Sequence, residues 1–194
     1  ITYRSPAFAI HKKGRYGSFL GRAWSDMGEY RALVAEVRRQ GGDFIKLMLS
    51  GIMDFSEYGK MSCAPRDEAE IRELIGIAHG EGFAVMAHCN GADAVKAAVE
   101  DLQSQGARAL VFDMRNNGGG YLDELIPMLD DLLPEGTIFQ TRSHLGRVKT
   151  YESDADGVDL PMAVLVNADT YSAAEIFAAE LQEKVGAAVV GVPT

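Results

Sequence analysis

Ser172 lies between an apolar run, Met162 to Val166, and a helical run that continues to Lys184, with Glu175 three residues after it. A hydroxyl at the front of a helix sits where the aligned peptide dipoles favour a developing negative charge. It becomes a nucleophile only when a base takes its proton. The Ser172/Glu175 spacing is equally that of a capping box, and one serine can serve as both cap and nucleophile. Asn116-Asn117-Gly118-Gly119-Gly120 is a tight glycine loop. It reads as a strand-to-helix turn or, more weakly, as a phosphate cradle. Lys46 sits inside the apolar run Asp43 to Leu49, and His88 ends the run Phe83 to Ala87. Imidazole suits zinc, whereas a bare ammonium repels a cation. Taken alone, Lys46 snorkels from a strand end and His88 is a core histidine. His144 is the one histidine of the second half, in a hairpin turn, and nothing in the sequence brings it to Ser172.

The chain around these residues has 194 amino acids, 47% apolar and 24% charged, with 19 Lys+Arg against 28 Asp+Glu for a net charge of −9. This composition is globular rather than disordered. The acidic balance speaks against a nucleic-acid backbone as partner. No apolar run approaches the ~20 residues of a membrane span. Cys63 and Cys89 make neither a disulfide framework nor a four-cysteine zinc site. A start at Ile1 rather than Met is what a processed protein or an excised fragment would show.

Helical and strand patterns alternate. Asp26 and Glu29 stand at capping-box spacing before Tyr30, Leu33, Val34 and Val37, and Gly41-Gly42 stop that helix. Asp43 to Leu49 predicts a strand and Ser50 to Pro65 a loop. Ile71, Leu74, Ile75 and Ala78 predict a helix, and Phe83 to Ala87 a buried strand. Val95, Ala98, Val99 and Leu102 mark a further helix, followed by a strand over Ala109 to Phe112. Leu122, Leu125, Ile126 and Leu129 face the next helix, which Pro127 should kink. Thr137 to Thr141 and Arg147 to Tyr151 predict a hairpin turning near Leu145-Gly146. The strands Met162 to Val166 and Ala187 to Val190 then flank the Ser172 helix. Strands separated by such helices predict an α/β chain with a mainly parallel sheet and flanking helices.

Two resemblances add to this reading. Gly42-Asp43-Phe44-Ile45-Lys46-Leu47-Met48 and Val85-Met86-Ala87-His88-Cys89-Asn90-Gly91, with the segment Ser5 to Gly21, resemble metal-dependent amidohydrolases of the imidazolonepropionase and prolidase-like branch. That family folds as a (β/α)₈ barrel. The resemblance implies a carbamylated Lys46 bridging metal ions and His88 as a ligand, with zinc or another divalent metal as cofactor. The bound metal would make a nucleophile of water. The family's His-x-His pair, further histidine and late aspartate have no matching positions here.

Asp101-Leu102-Gln103-Ser104-Gln105-Gly106, Phe112 to Gly120, Leu133-Pro134-Glu135-Gly136, Leu165-Val166-Asn167, Ser172-Ala173-Ala174-Glu175-Ile176 and Val190 to Thr194 resemble the carboxy-terminal processing, or tail-specific, serine peptidases. Ala174 stands where that family has a second serine. The resemblance implies Ser172 as nucleophile, the N–H groups of Gly120 and Ala173 as the oxyanion hole, no cofactor, and a peptide or protein C-terminus as substrate. The family's base is a lysine in a Gly-Lys-Gly setting about 25 residues after the serine, which falls beyond Thr194. Residues 1–100 then read as an amidohydrolase-like βα fragment and residues 101–194 as a peptidase-like core fragment, two incomplete parent folds meeting in the helix Val95 to Asp101. Three functions are expected from this: a serine-peptidase-like hydrolase, inactive as written for want of its base; an amidohydrolase remnant with a metal at Lys46 and His88; or a non-enzymatic folded chimera. Unpaired strand edges and orphaned core faces would favour self-association. The two resemblances point to different compartments, one exported and one intracellular.

Overall fold

The computed structural model describes residues 4–52, 56–57, 62, 67–154 and 157–194. Most of the loop expected over Ser50 to Pro65, Cys63 included, lies outside them. The chain divides into two compact units, Ile1–Asp101 and Leu102–Thr194.

The first unit holds strands β1 (Ala9–Lys12) and β2 (Gly21–Trp24), helix α1 (Met27–Arg39), β3 (Phe44–Met48), α2 (Glu68–Gly80) and β4 (Ala84–His88). Helix α3 (Ala92–Ser104) carries the boundary between the units. The four strands form one parallel sheet in the order β2-β1-β3-β4. Asp26 caps α1 by accepting the Glu29 N–H at 2.9 Å. The returning arm of that box comes from one residue earlier, with the Ser25 N–H donating to Glu29 Oε2 at 2.7 Å. Tyr30, Val34 and Val37 from α1 and Ile71, Leu74, Ile75 and Ala78 from α2 are buried with Ile45 and Leu47, as their helical spacing predicts. The Tyr30 hydroxyl meets its buried position by donating to the Leu74 carbonyl at 3.0 Å.

Sequence periodicity did not reveal β1 and β2, whose sequences Ala-Ile-His-Lys and Gly-Arg-Ala-Trp are broken by charged or polar residues, unlike the apolar runs of the equally short β5 and β9. The reading of β4 as a buried strand is corrected by the structure. β4 is the sheet edge, and Ala84 and Met86 on one of its faces are exposed, Met86 by 45%. Val85 and Ala87 on the other face pack against the core. A parallel sheet is buried on both faces only where helices cover both.

The second unit holds β5 (Leu110–Asp113), α4 (Leu122–Leu132), β6 (Gly136–Arg142), β7 (Val148–Ser153), β8 (Met162–Val166), α5 (Ala173–Val185) and β9 (Ala188–Gly191). β5, β8 and β9 form a parallel sheet in the order β5-β8-β9, and β6 and β7 form the expected antiparallel hairpin. Among the described residues the parallel strands therefore make two sheets, one per unit, rather than one sheet continuous along the chain. Helix α4 runs through Pro127 and buries Leu125, Leu129 and Leu132. From α5, Phe177 meets Phe112 of β5 edge-to-face, with ring centroids 5.1 Å apart. Val164 in the middle strand is fully buried. This packing fixes the two elements that matter below, the carboxyl end of β5 and the amino end of α5. No helix among the described residues is long and apolar enough to cross a membrane.

Candidate active site

The chain leaves β8 at Val166 and must reverse into α5 within six residues. Thr170, completely buried, organises that reversal. Its Oγ1 donates to the Met114 carbonyl at 2.8 Å and accepts the Asn167 N–H at 3.0 Å. Asn167 and Asn116 then clasp each other. The Asn116 N–H donates to Asn167 Oδ1, and Asn167 Nδ2 donates to Asn116 Oδ1, both at 2.9 Å. One step further, the Tyr171 N–H donates to the Asn117 carbonyl at 2.9 Å. The loop after β5 and the loop before α5 are thus sewn together by side chains and backbone alike.

Ser172 stands at the top of this seam, exposed, with φ 56° and ψ −122°. A non-glycine residue rarely holds such a backbone, and where one does the surrounding structure must impose it. A sharp strand-to-helix turn of this kind lifts a serine hydroxyl clear of its neighbours. Glu175 holds the turn from the helix side. Its Oε2 accepts the Ser172 N–H at 2.7 Å, and its Oε1 accepts the Thr194 hydroxyl at 2.8 Å, which ties the chain after β9 to the turn. The Glu175 and Ile176 N–H groups both donate to the Ser172 carbonyl, and the Ala174 N–H to the Tyr171 carbonyl. Three of the four donors of the first turn are thereby engaged, and Ala173 is the fourth.

Gly119 closes the site from the other loop. It holds φ +81°, and a Cβ placed on it would lie 2.6 Å from the Tyr171 carbonyl oxygen, 2.7 Å from the Ala173 nitrogen and 2.8 Å from Ser172 Cβ. Only a glycine lets the two backbones come this close. The structure thus sets the glycine loop against Ser172 and Ala173. It does so through Gly119, immediately before the Gly120 that the sequence singled out. The Asn117 side chain keeps the loop in place, its Oδ1 accepting the Gly119 N–H at 2.9 Å. Sequence reasoning named Gly119 only as one member of the glycine loop, and it missed Thr170 and the clasp between Asn116 and Asn167. The Asn-x-x-Thr spacing of Asn167 and Thr170 was the available signal, since such pairs form local side-chain turns.

In the first unit, Lys46 pairs in register with Met86 and Met48 with His88, so Lys46 and His88 share one sheet face. His11 shares it too, because Ala9, two residues earlier, pairs with Lys46. His11 is buried, and its Nδ1 lies 3.1 Å from the Lys12 carbonyl. Burial, with the Lys46 charge adding to it, lowers the His88 pKa from 6.5 to about 4. The ring is therefore neutral at pH 7, and its Nε2 accepts from Asn90 Nδ2 at 3.0 Å. Burial also pushes the Cys89 thiol up to about 12, against a smaller opposite effect of Lys46, so that sulfur is protonated and unreactive. Among the described residues no group of three or more His, Cys, Asp or Glu side chains could hold a metal ion. Catalytic zinc takes three protein ligands, and Lys46 with His88 does not fit that requirement.

A pH effect follows from His88. Folding disfavours its protonation, so the stability it brings is complete above its ordinary pKa of 6.5 and is lost as the pH falls toward about 4. Trp24, the one tryptophan of the chain, is buried in the same unit and reports on it by fluorescence. The urea midpoint read from Trp24 is expected to fall on acidification in the parent and distinctly less in His88→Gln. Parallel pH profiles would show that His88 carries none of the effect.

The description Peptidase family S41 belongs to a family model that matches residues 75–194. The carboxyl-terminal-processing protease of Synechocystis sp. is 39% identical over 98 residues, which are 50% of this chain and 23% of that protein. The chloroplastic carboxyl-terminal-processing peptidase 2 of Arabidopsis thaliana is 37% identical over 108 residues, 54% of this chain and 21% of that protein. Among solved structures, a photosystem II D1 C-terminal processing protease is similar at a TM-score of 0.48 and 30% identity, covering 53% of this chain and 27% of that one. An amidohydrolase is similar at a TM-score of 0.35 and 31% identity, covering 48% and 21%. The chain spans less than a quarter of the length of the two curated relatives. The matched residues run from within α2 through both loops of the site to Thr194, well over half of the sequence, and the chain belongs to peptidase family S41.

Proposed function

We propose that Ser172 is the nucleophile of a peptide-bond hydrolase acting on peptide or protein C-terminal segments, with the N–H groups of Ala173 and Gly120 receiving the oxyanion. The observation that carries this reading is the strained, exposed backbone of Ser172 at the front of α5, held against a glycine loop at Gly119. Such a backbone costs stability, and strain of this kind gathers where chemistry needs it. The curated relatives are named as carboxyl-terminal-processing enzymes, which supports the substrate class.

Among the described residues no hydrogen bond joins the Ser172 hydroxyl to a lysine or histidine. A serine without such a base is a poor nucleophile at neutral pH. Residues 1–194 on their own are therefore read as carrying the nucleophile and the oxyanion cradle, unactivated. The family's lysine, in its Gly-Lys-Gly setting, is what would complete the pair. Labelling with a fluorophosphonate probe tests both points. Residues 1–194 are expected to label at the level of their Ser172→Ala variant. The same residues followed by the lysine-bearing segment are expected to label in a way that Ser172→Ala abolishes. Equal labelling of that longer chain with and without Ser172 would overturn the assignment.

A further inference from the structure

The hairpin β6–β7 takes no part in the site. Every residue from Arg142 to Thr150 is exposed, Leu145 by 68% and Val148 by 49%. The tip is nonetheless held in one shape. The Ser143 N–H donates to the Arg147 carbonyl and the Gly146 N–H to the Ser143 carbonyl, both at 2.9 Å, while the Arg147 N–H donates to Ser143 Oγ at 3.1 Å. Lower on the arm, Gln140 Nε2 donates to Thr150 Oγ1 at 3.1 Å, and the Phe139 and Tyr151 rings stack at 4.8 Å. The base alone is buried, through Ile138 and Ser153. A preorganised arm that covers none of its own apolar tip loses little entropy on docking.

Charge selects what it docks on. Arg142, Arg147 and Lys149 face a single carboxylate of the hairpin, Glu152, while the rest of residues 102–194 carries thirteen carboxylates against three cations. Among the described residues none of the three arm cations lies in an ion pair, and the Lys149 ammonium rests over the Tyr151 ring at 4.4 Å. Residues 116–141 contain no Lys, Arg or His at all. Their five carboxylates, Asp123, Glu124, Asp130, Asp131 and Glu135, lie on α4 and just after it. Two arms laid together would oppose three cations to three. An arm laid on the α4 stretch of another molecule pairs opposite signs.

We propose that the β6–β7 arm of one molecule docks on the acidic α4 stretch of a second copy. Arg142, Arg147 and Lys149 meet its carboxylates, and Leu145 and Val148 supply the apolar contact. The two surfaces differ, so the contact is heterologous and propagates from copy to copy unless a ring closes.

Sedimentation velocity on the chain tests this at ~20 mM and ~500 mM salt, between which screening shortens several-fold. Concentration-dependent larger species are expected at low salt and only the monomer at high salt. The triple variant Arg142→Glu, Arg147→Glu, Lys149→Glu is expected to stay monomeric at both, as is the face variant Asp123→Lys, Glu124→Lys, Asp131→Lys. Mixed at low salt, the two variants are expected to associate with each other, acidic arm on basic face, which also shows that both are folded. A parent that is monomeric at low salt would overturn the proposal. So would an arm variant that associates as the parent does, or a mixture that stays monomeric. Binding of a labelled Glu-rich peptide by a monomeric parent, lost in the arm variant, would assign the arm to an acidic polypeptide instead.

Discussion

Replacing Ser172 with glycine is expected to make the protein more stable while removing its proposed nucleophile. Glycine adopts φ 56° and ψ −122° without the steric cost that serine bears there. Residues held in such regions store about 1–3 kcal/mol. The extra freedom of glycine in the unfolded chain takes back roughly 0.5–1 kcal/mol. A net gain of about 1 kcal/mol raises the thermal midpoint of a 60–100-residue domain by roughly 4–8 °C. Ser172→Ala supplies the contrast. It loses the hydroxyl and keeps the Cβ that makes the backbone costly, so its midpoint is expected to stay near that of the parent. In a chain that includes the family's lysine both variants are expected to lose hydrolysis alike, by about 10⁶-fold when a nucleophile is removed. Calorimetry of the three proteins gives the stabilities. A Ser172→Gly midpoint at or below that of the parent would show that the turn is unstrained, and the main support for the nucleophile would go with it.

How much of this could be read from residues alone differs between the two halves of the site. Ser172 was legible as a helix cap because a serine directly before a helical run, with Glu175 three residues on, is a local pattern, and as a nucleophile only through the resemblance to tail-specific peptidases. The helices of both units were legible for the same reason, their buried faces repeating at 3.6 residues. What the pattern left out is non-local. Nothing near residue 170 says that Thr170 will reach the Met114 carbonyl, 56 positions away, or that Asn167 and Asn116 will pair across 51. The glycine run showed that a backbone must be approached closely, but three adjacent glycines do not say which one is approached. Lys46 and His88 were singled out as a pair and do share a sheet face. What else stands beside them depends on the rest of that face, to which the strand β1 adds the buried His11. The edge position of β4 was hidden because an apolar run reads the same whether one or both of its faces are covered.

The glycine run yields the sharper experiment because its members differ so much in surroundings. Gly119→Ala places a methyl group 2.6–2.8 Å from the Tyr171 carbonyl oxygen, the Ala173 nitrogen and Ser172 Cβ. Two of these are backbone atoms of the turn itself and cannot swing aside as a side-chain tip would. The left-handed φ of +81° adds about 1–2 kcal/mol for any residue with a Cβ. Forcing the methyl into packed surroundings adds roughly 1–3 kcal/mol more. The relief available is to part the glycine loop from the start of α5. That would break the Tyr171 N–H to Asn117 bond and displace the Ala173 N–H from the proposed oxyanion hole. Gly118→Ala is the matched control, since a Cβ there meets nothing within 4 Å. Hydrogen exchange through Asn167 to Ala178 is expected to quicken several-fold or more in Gly119→Ala and to stay near the parent rate in Gly118→Ala. In the lysine-containing chain, probe labelling of Ser172 is expected to disappear in the first and persist in the second. Equal behaviour of the two variants would mean that the loop and the turn are not held in contact, and the cradle around Ser172 would have to be abandoned.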